Sequence, residues 1–269
     1  MSGFALVRHA LWRARTLVLI VALILGAFQW LITLAARTFD ASGAFKQILS
    51  IVPPMMRALA GDALVPMMSF GGMVTIGYFH LIVQAALMAV AIGLTTQTAS
   101  EIELHQVDLL MSRPVSRAWL VWRSLAALLV ATVTILGVMA LGTWSGLHFF
   151  APEDASWPEP RLVLSLILNL GLLMLVWGAV ALAIATLSRR RVTAIAIAGL
   201  AALVAFLLDY LARVWDPMKK VAWISPFHYV RQMELVAGGT LELRDIAVLL
   251  GITVAFVAVA FVAIARRDL

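Results

Sequence analysis

The chain has 269 residues, of which 63% are hydrophobic and 13% charged, with a formal net charge of +6 and no cysteine. So small a charged share excludes a disordered chain and an ordinary soluble globule, whose exterior needs far more charge. What remains is a polytopic membrane protein, all-α in fold class.

Further classes fall away on single residue types. Without cysteine there are no disulfides, thiolate metal sites or cysteine nucleophiles. The basic residues stand at the ends of apolar runs, which is the pattern of membrane orientation, so no nucleic-acid partner is expected. Lys46, Lys219 and Lys220 are the only lysines, and none follows a glycine. A phosphate-cradling Gly-Lys-Ser/Thr loop is therefore missing, and any nucleotide energy must be bound by another chain. The first apolar run is too long for a removable signal peptide.

In chain order, Ser2 to Arg15 comes first, with Phe4, Val7, Leu11 and Ala14 at helical spacing and Arg8, His9, Arg13 and Arg15 on other faces. This predicts an interfacial helix over 2–15, after which the chain turns into the bilayer. A span needs roughly 20 apolar residues. Six are predicted, at about 16–36, 71–95, 124–148, 162–187, 192–212 and 246–265, within one membrane domain covering 1–269. Between the first two, Pro53-Pro54, Lys46, Arg57 and Asp62 predict short surface helices.

After the second span, Glu101 to Arg117 mixes Glu101, Glu103 and Asp108 with Ile102, Leu104, Leu109 and Leu110. This reads as a partly buried helix ended by Pro114, with Ser116 capping the next. The other reading is a plain loop. Between the last two spans, Ser225 suits an N-cap, Pro226 the first helical position and Gly238 the closing position. A re-entrant or interfacial helix over Pro226 to Ala237 is predicted, too short to span. Asp245 is then placed to cap the sixth span.

Six spans put both termini on one side. Grouping the termini with the 2–3 and 4–5 connections gathers about eleven basic residues in roughly fifty positions, against about nine in roughly eighty opposite. The denser side is expected to be cytoplasmic, and Arg189-Arg190-Arg191 is its clearest marker.

These features together resemble a known family. They are the amino-terminal amphipathic helix, six spans, Leu109-Leu110-Met111-Ser112-Arg113-Pro114-Val115-Ser116-Arg117 before the third span, and Ser225-Pro226-Phe227-His228-Tyr229 before the sixth. The chain resembles, over nearly its whole length, the permease subunit of type-2 ATP-binding-cassette (ABC) transporters, mostly bacterial exporters. It departs from that pattern where His105-Gln106 replaces the usual Gly-Thr. The resemblance implies a bacterial inner-membrane location and a pair of permeases, as a homodimer or pseudo-dimer, working with two cassette ATPase subunits that bind ATP and Mg. This chain would hold no cofactor and catalyse nothing. The 101–117 segment would be the coupling helix, with Glu101, Glu103, Asp108, Arg113 and Arg117 facing the ATPase. The substrate path would run along the first, second and fifth spans, and the helix before the sixth would help close the exit.

Asp209 and Arg213, four apart on one helix face, form either a snorkelling pair at the interface or an outer gate. Gln29, Tyr78, His80, Gln84 and Asn169 lie within spans. They either hydrogen-bond between helices or line a path, and His80 and Gln84 are expected on one face. His80 has too few neighbouring ligands to hold a metal. Phe227, in the Ser-Pro-Phe-His-Tyr run, joins His80, Gln84, Asp209 and Arg213 as path or gate residues. Gly142 and Gly146 permit a close helix approach. Two other functions compete with transport. One is a membrane assembly or structural protein. The other is an intramembrane enzyme, which lacks the clustered ionisable residues such chemistry needs.

Overall fold

The computed structural model describes residues 3–41, 64–104 and 116–266. The described part is helical and contains no strand. The longer helices are α1 (Gly3–Ala41), α2 (Phe70–Phe79), α3 (Leu81–Thr95), α4 (Gln97–Glu103), α5 (Ala118–Phe150), α6 (Pro160–Leu187), α7 (Arg191–Val214), α8 (Gln232–Val236) and α9 (Leu243–Arg266). Six stretches among the described residues are long and apolar enough to cross a membrane: α1, the α2–α4 run, α5, α6, α7 and α9. The protein is an all-α polytopic membrane protein.

The spans fall where the apolar runs placed them, but several helices are longer. The predicted turn between an interfacial helix over 2–15 and the first span is absent. Helix α1 runs unbroken through 39 residues, about 58 Å at 1.5 Å per residue. The residues around Arg15 are Arg, Ala, Thr and Leu, with no proline or glycine to break the helix. Its buried stripe runs straight through the expected junction: Ala14, Val18, Ala22, Leu25, Gln29, Thr33 and Ala36, spaced by three and four.

That stripe packs on α5, and small residues set the separation. A Cβ on Gly142 would lie 2.5 Å from the Gly26 carbonyl oxygen, and one on Gly146 would lie 3.0 Å from Thr33 Oγ1. The expected close approach is therefore made with α1. Tyr78 and Thr143 share a 2.7 Å hydrogen bond between α2 and α5. At the centre is α6, with 78% of its most apolar window buried, against 22% for α7 and 11% for α9. The last two spans, α7 and α9, therefore face outward, and their exposed Leu200, Leu203, Val204, Val254 and Val262 suit hydrocarbon rather than water.

The second span is not one rod. It breaks at His80, whose backbone is extended (φ −62°, ψ 133°), and at Thr96. One end of the bundle carries Arg13, Arg15, Arg123, Arg189–Arg191 and Arg266. The opposite end carries the α5–α6 and α7–α9 connections. Exposed tryptophans occur at both ends, with Trp12 and Trp122 near the arginines and Trp144, Trp157, Trp215 and Trp223 opposite, as the two membrane interfaces favour.

Between α7 and α9 the predicted three-turn helix is corrected to two shorter pieces. A 3₁₀ turn, Pro226–Tyr229, is followed by α8, and the chain leaves helical geometry at Val230 and Arg231. The predicted ends hold. Ser225 caps through its side chain, accepting from the Phe227 N–H. Gly238 closes α8 at φ 96°, with Gly239 N–H donating to Glu234 O and Gly238 N–H to Leu235 O, a Schellman closure. Two other expected caps differ. Arg117, not Ser116, is the N-cap of α5, and Asp245 lies in the first turn of α9 rather than before it.

Candidate functional site

At the end opposite the arginines, the 3₁₀ turn and α8 fold back against the bundle. Ser225 anchors them, because its hydroxyl donates to Ala205 O of α7 at 2.8 Å. Phe227 is buried between the rings of Phe206 and Trp177, with centroids 5.5 and 5.9 Å away. Tyr229 closes the loop by donating to Trp223 O at 2.9 Å.

Beneath this hairpin is a cavity of about 650 Å³ between the α2–α3 break, the end of α7 and α8. Phe79, Leu81, Phe206, Tyr210 and Phe227 give it apolar walls, and Gln84, Asp209, Arg213, His228 and Gln232 bring polar groups into them. Its size is that of a small-molecule pocket. The buried Asp209 carboxylate receives Arg213 Nη2 at 2.8 Å and Nε at 3.2 Å. Its other oxygen is 3.9 Å from His228 Nδ1, too far for a hydrogen bond. Across the cavity, Gln84 Nε2 donates to Gln232 Oε1 at 3.0 Å.

Four of the five path or gate residues thus meet in one place: Gln84, Asp209, Arg213 and Phe227. His80 does not join them. It caps α3, its Nδ1 accepting from the Ile82 N–H at 3.3 Å, and packs edge-on to Phe28. The break at His80 also removes the expected shared helical face with Gln84. Of the other intramembrane polar residues, Tyr78 pairs between helices and Asn169 lines a second cavity of about 170 Å³. Gln29 is fully buried, and among the described residues its side-chain amide has no hydrogen-bond partner.

The sequence reading did not single out Arg231. This residue clamps the hairpin to the last span, reaching Asp245 Oδ2 through Nε at 3.1 Å and Glu242 and Glu234 through Nη1 at 3.1 and 3.3 Å. Burial works against its charge, but the three carboxylates prevail and hold the guanidinium above its ordinary value. The available signal was an arginine two residues after the Ser-Pro-Phe-His-Tyr run, with three acidic residues following within fourteen positions.

A second constellation lies at the arginine end. Helix α4 leaves the second span there, and both of its glutamates are engaged within the chain. Glu101, partly buried, forms an ion pair with the buried Arg123 of α5. Glu103 accepts from the Arg191 backbone N–H at the start of α7, at 3.0 Å. Arg191 also reaches back to Gly93 O of α3 at 3.2 Å, and Thr98 shares a 3.1 Å hydrogen bond with Ser124. Glu101 and Glu103 therefore tie α4 to the third and fifth spans. Arg117 stands at the N-cap of α5. Asp108 and Arg113 lie outside the described residues. Arg123, one of the basic residues gathered at this end, is a structural ion-pair partner.

A search of curated proteins finds no match. A family model does match, covering residues 65–269 from the second span to the end of the chain. The chain belongs to the family described as Protein of unknown function (DUF2705).

Proposed function

We propose that this protein is the transmembrane permease subunit of an ATP-binding-cassette exporter. In this reading it lies in a bacterial inner membrane with both termini and the Arg189–Arg191 turn in the cytoplasm. It works as a homodimer or pseudo-dimer with two separate ATPase subunits, which bind ATP and Mg. The 101–117 segment receives the ATPase, and the cavity under the hairpin lies on the exit path.

The observation that carries this reading is the double tie of α4. A short helix at the basic end is bound through Glu101 to α5 and through Glu103 to α7. A push on it is therefore felt by two spans at once. Helix α7 then runs about 36 Å, at 1.5 Å per residue, to its far end, where Asp209 and Arg213 line the cavity. The rods transmit displacement because packed helices move as units. The basic end is on the cytoplasmic side by the distribution of arginines. The chain's lack of a phosphate-binding loop agrees with an engine on another polypeptide.

The test is ATP hydrolysis by the chain reconstituted with the cassette ATPase encoded beside it. The expected result is a stable complex whose hydrolysis is altered by Asp108→Lys or Arg113→Glu while the thermal stability of the permease is unchanged. No complex, or a complex indifferent to both substitutions, would refute the reading.

A further inference from the structure

At the arginine end, a groove of about 660 Å³ runs between the last turn of α6 and the last turns of α9. Leu187, Ala258, Val259 and Val262 line it, with Arg189 and Arg266 beside them, and among the described residues no acidic one contributes to its walls. Both arginines are exposed, and neither has a carboxylate partner among the described residues. The neighbouring Arg191 differs, since it is held by Gly93 and Glu103. The groove therefore pairs an apolar floor in a membrane-spanning region with two guanidiniums at its mouth that no described carboxylate engages.

We infer that this groove is a binding site for an anionic glycerophospholipid. Its acyl chains would lie on the valines and Leu187, and its phosphate would sit between Arg189 and Arg266. Charge complementarity selects this occupant. A zwitterionic lipid brings its own cation, which the two guanidiniums repel and which offsets much of the attraction to its phosphate, and a free phosphate leaves the apolar floor uncovered. Guanidinium binds phosphate through paired N–H donors, and basic pockets between spanning helices are where anionic headgroups collect. The site joins the end of α6 to the end of α9, so an occupant fastens the outlying last helix to the central one. This inference does not depend on the transport reading.

The test uses the full chain in detergent, titrated with phosphatidylglycerol, phosphatidylcholine or glycerol phosphate, with native mass spectrometry and thermal unfolding as readouts. Phosphatidylglycerol should bind saturably and raise the unfolding temperature, while the other two should not. In Arg189→Gln/Arg266→Gln its affinity should fall roughly thirtyfold, from two lost arginine–headgroup contacts. Arg190 is untouched in that variant and keeps this end basic. Ala258→Leu, at an exposed position, fills the floor without touching the charges and should also weaken binding. Equal responses to phosphatidylglycerol and phosphatidylcholine would overturn the proposal, as would unchanged affinity in the double variant. A response to glycerol phosphate equal to that of the lipid would also overturn it, showing a free-phosphate site.

Discussion

Gln29 and Gly142 lie on opposite sides of the same packing seam, and each makes a separable prediction. Gln29 is fully buried with its amide unpaired among the described residues, and a Cβ on Gly77 would meet that amide at 2.2 Å. A buried, unsatisfied polar group costs about 1–3 kcal/mol. Gln29→Leu should therefore leave thermal stability in detergent unchanged or raise it by up to that amount. A clear loss would mean the amide holds a partner. Gly142→Ala should act in the opposite sense, since its methyl would press on the Gly26 backbone rather than on a side chain that can swing away. Overpacking of this kind costs about 1–3 kcal/mol, read as a lower unfolding temperature. The sequence exposed the glycine spacing but not its partner helix. It flagged Gln29 as polar within a span but could not show that no described group hydrogen-bonds to it.

At the scale of elements, the tie between α4 and α5 is the clearest case. Glu101 is only partly buried, so removing its partner costs less than breaking a fully buried pair, about 1–3 kcal/mol. Arg123→Gln should lower stability by about that amount, and the swapped pair Glu101→Arg/Arg123→Glu should recover most of it in the same unfolding assay. The same pair explains where span boundaries were illegible. Counting apolar residues starts the third span after Arg123. The helix begins six residues earlier, at Ala118, because Glu101 neutralises that arginine within the fold. The hairpin before the last span shows the converse. Its capping residues, Ser225 and Gly238, were legible because caps are local chemistry. The interruption at Val230–Arg231 was not, because it coincides with Arg231 turning toward Glu242 and Asp245 on another element. Likewise, nothing local in the apolar run from Phe70 to Thr95 marks His80 as a helix break; its imidazole caps the helix that follows.

For the whole molecule, hydropathy was enough to place six spans, since a membrane leaves the backbone little choice but helix. Which helix is central depends on packing between distant segments, and only the structure identifies α6. Sidedness is directly testable because the chain has no cysteine, so single introduced thiols report without background. Arg190→Cys should react with an impermeant maleimide only after the cytoplasmic face is opened, and Trp223→Cys in intact cells. The reverse pattern would invert the assignment of the ATPase-facing end.

The most direct test of the central claim is in-cell crosslinking from a photoreactive side chain at position 112, within the proposed coupling segment. The account predicts a product with a cassette ATPase, identified by its phosphate-binding loop peptide and diminished by Arg113→Glu. Full incorporation and expression with no ATPase in the crosslinked product would contradict it.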